Sequence, residues 1–175
     1  MADFERVTMA VLVATFAALH RQGVLLEGCL LKPMMVLPGD KHTGSKPTAE
    51  EIAVATLRVM QRVVPAAIPG IMFLSGGQSE AEATENLNTL NVLAKRDGKA
   101  PWSLSFSYGR ALQASVLEIW SKDSTRVEDC RRTAAGVARA NAQAQRGVFV
   151  GPHPSILSSA SLVEGFRGWN ASATA

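Results

Sequence analysis

The chain has 175 residues, of which 47% are hydrophobic and 19% are charged, a composition typical of one globular domain. Its net charge is +3, but basic and acidic residues are interleaved, which argues against a nucleic-acid partner. The apolar stretch 7–19 is too short to cross a bilayer and follows acidic residues, so we expect neither a membrane partner nor an export signal. Two cysteines, Cys29 and Cys130, are too few for a disulfide framework and indicate the reducing cytoplasm.

Hydrophobic periodicity predicts the order helix, strand, helix, strand, helix, strand, helix, helix. The first helix is predicted over about residues 5–21, and the first strand over residues 24–32. Thr48 and Glu51 have the spacing of a capping box, which predicts that the second helix starts there. Pro65 is expected to end that helix.

The second strand is predicted over residues 71–74 and is followed at once by a turn rich in glycine. Ser79 and Glu82 repeat the capping-box spacing, so a third helix is expected to begin directly after that turn. The third strand, within residues 102–108, alternates large apolar side chains with serines. This alternation predicts one apolar face and one small polar face.

Gly109 and Arg110 open the next predicted helix, and a further helix is expected over about residues 124–145. The remaining residues, 147–175, are mostly small or polar and include two prolines, which predicts a tail that is only partly ordered. We therefore expect one β/α domain over residues 1–146, followed by this tail.

Strands that are separated by helices pair in parallel through right-handed crossovers, so the expected fold class is α/β. Three strands cannot close an eight-stranded barrel, which takes about 250 residues. An open sheet of three strands has two exposed edges, and these favour association unless something covers them. The chain is thus either a small open sheet or part of something larger, and self-association or a partner could cover its edges.

Lys32 is the first candidate for chemistry because it ends an apolar strand, where α/β enzymes carry their catalytic groups. Burial among Leu30, Leu31 and Met34 would favour the uncharged amine, which can attack a carbonyl and form a Schiff base. The alternative is a lysine whose side chain extends from the strand end into solvent.

Ser75, Gly76 and Gly77 lie between a strand and a helix, where backbone N–H groups can approach an anion such as phosphate. The same residues are equally expected in any tight turn between a strand and a helix. Gly109 and Arg110 follow the third strand and add a guanidinium, which suits contact with a phosphate. Each of the three strands is therefore followed by a group that could bind or react with a ligand.

Three long motifs occur in order along the chain: LEGCLLKPMMV at 26–36, FLSGGQSE at 73–80 and SFSYGRALQ at 105–113. Together they resemble class I fructose-bisphosphate aldolase. The similarity runs over about residues 7–147 and corresponds to the C-terminal half of that family's (β/α)8 barrel. The resemblance implies a partial barrel, with about three parallel strands and flanking helices, and a role in glycolysis.

By this resemblance, Lys32 is the Schiff-base lysine that attacks the C2 carbonyl of a ketose before the C3–C4 bond is cleaved. Ser75, Gly76, Gly109 and Arg110 would hold a phosphate of the sugar phosphate substrate. The implied reaction is the reversible cleavage of fructose 1,6-bisphosphate to dihydroxyacetone phosphate and glyceraldehyde 3-phosphate, with no cofactor. No metal is expected either, since the three histidines of the sequence lack ligand spacing.

The resemblance also identifies catalytic groups that have no counterpart in this sequence. The family's aspartate on the first strand, lysine on the fourth and acid/base glutamate on the fifth precede the matched region. The family's C-terminal tyrosine has no counterpart either, since the single tyrosine is Tyr108. Each missing acid/base group should slow proton transfer by about 10² to 10⁴. The alternatives are a noncatalytic phosphosugar-binding or interaction module derived from aldolase, and a truncated product that does not fold stably.

Overall fold

The structure is a computed structural model that describes residues 1–39 and 42–156. The helices and strands follow one another in the predicted order, and a single 3-10 turn (Leu26–Gly28) comes before the first strand. In chain order they are α1 (Ala2–Arg21), β1 (Leu30–Leu31), α2 (Ala49–Val63), β2 (Gly70–Phe73), α3 (Glu80–Asp97), β3 (Ser103–Phe106), α4 (Arg110–Lys122) and α5 (Val127–Ala144).

The first strand is much shorter than predicted. Instead of a strand over 24–32, the chain makes local hydrogen bonds, from Gly28 N–H to the Leu25 carbonyl (3.2 Å) and from Cys29 N–H to the Leu26 carbonyl (3.0 Å). Within the described residues, β1 pairs with β2 alone, and β2 begins opposite Leu30, so residues 24–29 have no strand there to pair with. Local turns satisfy their backbone groups instead.

The described residues form one parallel sheet with the strand order β1, β2, β3, which confirms the predicted α/β class. Leu31 pairs with Ile71, and Ile71 pairs with Leu104, so the three strands are in register across the sheet. Because the strands are parallel, the carboxyl ends of all three lie along one edge of the sheet, which is distinct from the two sides formed by its outer strands.

The two faces of this sheet have different surroundings. Ile71, Phe73 and Leu104 point to one face and are buried in the hydrophobic core. The other face, here called the open face, carries Leu30, Met72, Ser103 and Ser105, which are exposed or partly exposed. Leu30 is 62% exposed, so the described residues leave most of this apolar side chain in water.

Both predicted capping boxes are present and explain where two of the helices begin. The Thr48 hydroxyl accepts from the Glu51 N–H (3.2 Å), and the Glu51 carboxylate accepts from the Thr48 N–H (2.8 Å). Ser79 and Glu82 make the same pair of bonds at the start of α3 (3.2 and 2.9 Å). The C-cap residue of α3 is Gly98, whose φ of +63° is the left-handed conformation that favours glycine.

A polar cluster joins α3 to the two last helices; it consists of the buried residues Glu80, Thr84, Ser115 and Asn141 and of the half-buried His153. Glu80 is fully buried and accepts from both the backbone N–H (3.1 Å) and the hydroxyl of Ser115. The Thr84 hydroxyl lies 3.0 Å from Asn141 Oδ1 and 3.1 Å from His153 Nε2. These groups satisfy one another away from water, which their burial requires.

The first ten residues of the predicted tail contact the helices. Phe149 N–H donates to Asn88 Oδ1 (2.9 Å), and Ile156 N–H donates to the Ser115 hydroxyl (3.0 Å). Residues 157–175 lie outside the described residues, so the division of the chain at residue 146 stays a prediction.

We expect Glu80→Ala to lower the free energy of unfolding by about 2–4 kcal/mol, because the buried Ser115 would lose the carboxylate that accepts from its N–H and its hydroxyl. The matched control is Glu85→Ala on the exposed side of the same helix, with an expected change within about 0.5 kcal/mol. Urea denaturation measures both. Equal losses for the two variants would contradict a structural role for the buried carboxylate.

Partial burial of His153 lowers the pKa of its imidazole below the ordinary value of 6.5. Nδ1 accepts from the Ser155 N–H (3.2 Å), and protonation of that nitrogen would break the bond. The unfolded chain therefore binds more protons below about pH 6.5, so the stabilisation is complete above that pH and is lost as the pH falls.

Urea midpoints at pH 7.5 and 5.5 test this dependence. We expect His153→Gln to reduce the difference between the two midpoints, whereas His20→Gln, which removes an exposed histidine of α1, should leave the difference unchanged. A difference that survives His153→Gln would show that other groups cause it.

Candidate functional site

The predicted site residues follow the three strands at one edge of the sheet. Lys32 comes directly after β1, Ser75 lies two residues after β2, and Arg110 begins α4 after β3. The segments remain in contact beyond the strands, since Met34 and Leu74 form a parallel bridge. The fold thus brings the three strand ends to one edge, as the sequence predicts.

Lys32 has a fixed backbone and an exposed side chain. The carbonyl of the next residue, Pro33, accepts from the Leu74 N–H (3.0 Å), which ties this segment to the end of β2. Of the two alternatives for Lys32, the structure shows the exposed one: its side chain is exposed, and so is that of Leu30 two residues earlier. The physical reason is that β1 is an edge strand, and the open face beside it is uncovered in the part of the chain that the structure describes.

The turn after β2 is held by hydrogen bonds to its first carbonyl. Ser75 is buried, and its carbonyl accepts from both the backbone N–H (3.0 Å) and the side-chain Nε2 (2.9 Å) of Gln78. Gly76 and Gly77 have φ angles of +34° and +81°, which side chains other than glycine's adopt rarely. A Cβ on Gly76 would also lie 2.7 Å from Met34 Cε, so the turn packs against the segment that follows Lys32.

The two helix starts at this edge differ in how their N–H groups are used. At the start of α3, Ser79 and Glu82 occupy backbone N–H groups with their own side chains. At the start of α4 the N-cap residue is Gly109, which provides no side-chain cap, and Arg110 is exposed beside it. The partial positive charge of a helix start and a guanidinium both attract an anion.

A cavity of about 800 Å³ lies behind the Gly76 turn. An ion pair between Lys46 and Glu82 forms part of its wall. Its other polar lining includes Gln78 and Asn86, and its apolar lining comes from Phe4, Met34, Leu37, Pro38 and Ile52. Sequence reasoning did not identify this cavity, because its lining comes from segments that are far apart in the chain.

The chemistry available at this edge is that of an amine and of groups that bind anions. Residues 1–39 and 42–156 contain no group of three or more His, Cys, Asp or Glu side chains that could hold a metal ion. Within the same residues, no helix is both long and apolar enough to cross a membrane. An amine beside anion-binding groups suits a carbonyl compound that carries a phosphate, and the assignment of Lys32, Ser75, Gly76, Gly109 and Arg110 to such a ligand stays a prediction.

Comparison with known proteins gives one consistent family. The family model described as glycolytic, fructose-bisphosphate aldolase class-I, matches residues 1–165. Fructose-bisphosphate aldolase of Dictyostelium discoideum is 49% identical over 156 residues, which is 89% of this chain and 42% of that protein. The cytosolic fructose-bisphosphate aldolase 4 of Arabidopsis thaliana is 51% identical over 145 residues, or 83% of this chain and 36% of that protein.

A solved structure agrees with these sequence matches. Fructose-bisphosphate aldolase from Plasmodium falciparum, in a ternary complex with TRAP and a small-molecule inhibitor, superposes with a TM-score of 0.80 and 47% identity. The match covers 86% of this chain and 42% of that one. The chain thus spans about two fifths of the length of these relatives, and its three strands with their helices match part of the aldolase barrel, as predicted.

We expect Gly76→Ala to lower the free energy of unfolding by about 1–2 kcal/mol, because alanine is strained at a φ of +34° and its Cβ would crowd Met34. Gly28→Ala is the matched control, since no atom lies within 4 Å of a Cβ at that position. Thermal unfolding of both variants measures the effect. An equal loss for the two would mean that the conformation of Gly76 does not matter.

Proposed function

Because the chain belongs to the class I fructose-bisphosphate aldolase family, we propose that it carries the Schiff-base half of that family's active site. Its proposed substrate is a sugar phosphate, and the reaction of the family is the reversible cleavage of fructose 1,6-bisphosphate to dihydroxyacetone phosphate and glyceraldehyde 3-phosphate. In this proposal Lys32 is the nucleophile, and Ser75, Gly76, Gly109 and Arg110 bind a substrate phosphate.

The observation that carries the proposal is the parallel order of β1, β2 and β3. This order brings the residue after β1, the turn after β2 and the start of α4 to one edge of the sheet. A ketose phosphate bound at that edge could present its carbonyl to Lys32 while its phosphate contacts N–H groups of the Gly76 turn and the guanidinium of Arg110.

The chemistry begins with attack of the Lys32 amine on the C2 carbonyl. Loss of water from the resulting carbinolamine gives an iminium ion, which withdraws electrons from the neighbouring carbons. When the C3–C4 bond breaks, the C4 hydroxyl loses its proton to a base and becomes the carbonyl of the aldehyde product, while the iminium nitrogen accepts the electron pair of the broken bond and an enamine forms. The hydrogen bond between Pro33 and Leu74 supports this role, because it holds the backbone next to the reacting lysine.

Proton transfer is the step of the reaction for which this chain provides the fewest acid/base groups. The resemblance implies that the acid/base groups of the family belong to barrel strands that precede the matched region, and the chain spans about two fifths of its relatives. Each missing group costs about 10² to 10⁴ in rate. We therefore expect Schiff-base formation to survive in the isolated chain, with cleavage far slower than in a whole barrel.

A second candidate function is a noncatalytic module that binds sugar phosphates or another chain. The exposure of 62% of Leu30 favours this candidate, because an uncovered edge strand with an exposed apolar side chain is suited to contact with a second copy or a partner. Sedimentation over a range of concentrations tests it. A species that grows with concentration supports self-association, whereas a monomer at every concentration excludes it.

We also infer that the chain works in the cytoplasm. Cys29 and Cys130 are both free thiols, which fits a reducing compartment. The Arabidopsis relative is named as a cytosolic protein. Fractionation of cells that express the chain would test this inference.

Borohydride trapping with dihydroxyacetone phosphate tests the catalytic proposal. Reduction converts a Schiff base into a stable adduct, which intact mass and peptide mapping locate on the chain. We expect an adduct at Lys32 that Lys32→Ala abolishes. Lys122→Ala, which removes an exposed lysine of α4, should leave the adduct unchanged.

Two results would count against the catalytic proposal. A folded wild-type chain that gives no adduct would disprove the catalytic proposal and would favour the noncatalytic binding module. An adduct that persists in Lys32→Ala, or that is spread over several lysines, would show reaction with surface amines and no dedicated nucleophile.

A further inference from the structure

Two buried amide side chains lie behind the Gly76 turn and form a short relay to it. Gln78 and Asn86 are only 4% and 6% exposed. Asn86 Nδ2 donates to Gln78 Oε1 (2.7 Å), and Gln78 Nε2 donates to the Ser75 carbonyl (2.9 Å). The relay therefore joins a residue in the second turn of α3 to the first residue of the proposed phosphate turn.

The Ser75 carbonyl, at the end of the relay, determines the direction in which its hydrogen bonds run. The Ser75 carbonyl can only accept a hydrogen bond, so Gln78 must present its Nε2 to it. That choice leaves Gln78 Oε1, which can only accept, facing Asn86. Asn86 must then present its Nδ2, and this bond holds the Gln78 amide in the orientation that the Ser75 carbonyl requires.

The relay fixes the orientation of the Gly76 N–H, because this N–H and the Ser75 carbonyl belong to one planar peptide unit. The Ser75 carbonyl and the Gly76 N–H belong to the same trans peptide, so they point in opposite directions. Two donors from Gln78, the backbone N–H and Nε2, hold the carbonyl toward α3. The Gly76 N–H is thereby directed away from the relay. The peptide could otherwise rotate easily, because the two glycines that follow accept many conformations.

We propose that Gln78 and Asn86 are positioning residues that orient the Gly76 N–H for a phosphate group. This inference rests on the proposed function, in which that N–H binds the substrate phosphate. Neither side chain touches the ligand in this scheme. They fix the donor before the ligand arrives, so that binding does not have to pay for ordering the turn.

Asn86→Asp is the sharpest variant because it keeps the size of the side chain and removes the donor. Gln78 would then turn its Nε2 toward the new carboxylate, and its Oε1 would face the Ser75 carbonyl, where two acceptors repel. The matched control is Asn91→Asp in the same helix, also at a position 6% exposed. Asn91 Nδ2 donates to the Leu87 carbonyl (3.0 Å) and has no bond to the turn.

Titration calorimetry with inorganic phosphate, on the full 175-residue chain, measures the effect, and a thermal scan of each variant measures stability. We expect Asn86→Asp and Gln78→Glu each to raise the Kd for phosphate by about tenfold, the equivalent of one lost hydrogen bond. The double variant should be no weaker than Gln78→Glu alone, because both changes act through the same bond to Ser75. Asn91→Asp should lower Tm without changing the Kd.

Asn86→Ala keeps the test decisive if the aspartate variant does not fold. Asn86 lines the existing cavity, so its truncation to alanine only enlarges a space that the fold already contains. We expect a smaller loss of affinity for this variant, about threefold. Folded Asn86 variants that bind phosphate like the wild type would overturn the inference. The inference would also be overturned if the Kd rose in every variant whose Tm falls, including Asn91→Asp, because that result indicates a purely structural role.

Failure of the underlying proposal gives a different result. A folded wild-type chain that binds no phosphate removes the phosphate site itself, and the positioning role with it. Phosphate binding by the wild type together with unchanged Asn86 and Gln78 variants removes only the positioning role. Trapping at Lys32 is measured separately and depends on neither outcome.

Discussion

Parallel hydrogen bonding of β2 to both β1 and β3 is the constraint on which the remaining structure depends. Parallel neighbours need a crossover between them, and right-handed crossovers between strands in simple sequential order bring α2 and α3 to the same side of the sheet. That side buries Ile71 and Phe73 and forms the core. The opposite side is left as the open face.

The same constraint explains why Lys32, the proposed nucleophile, is exposed in this chain. In a closed (β/α)8 barrel the inner face of every strand meets the inner faces of the others, so a lysine at a strand end lies among the neighbouring strands. Here β1 has one neighbour within the described residues, and its other edge is open. The strand ends that bear the proposed site residues therefore lie along one edge of the sheet, but these three strands do not provide the enclosure that would exclude water from Lys32.

Rigidity is unevenly distributed around the proposed site. The turn after β2 is fixed from behind by Gln78 and Asn86, and α3, which follows it, is anchored through Glu80 to Ser115 of α4. The Lys32 side chain has no comparable support among the contacts described, although its backbone is tied to β2. The turn that the proposal assigns to phosphate is thus held more firmly than the side chain that it assigns to the carbonyl, and activation of an amine needs a desolvated site that the exposed Lys32 lacks.

Local features were predictable from the sequence because their causes lie within a few residues. The starts of α2 and α3 follow from capping boxes of three-residue span, and the alternation of β3 follows from the pleat of a strand. Lys32, Gly76 and Arg110 were identified from motifs, and the shared edge of the three strands followed from their parallel order. The sequence by itself therefore determined the order of elements, the class of the fold and the family.

Only the tertiary structure decided which of these groups are covered and which are held in place. The short length of β1 and the exposure of Lys32 depend on how many strands lie beside them, which periodicity along one segment cannot report. The bonds from Asn86 to Gln78 and from Thr84 to His153 join residues 8 and 69 positions apart. Such contacts form because the packing of helices on the sheet brings distant side chains together, and no local pattern encodes that geometry.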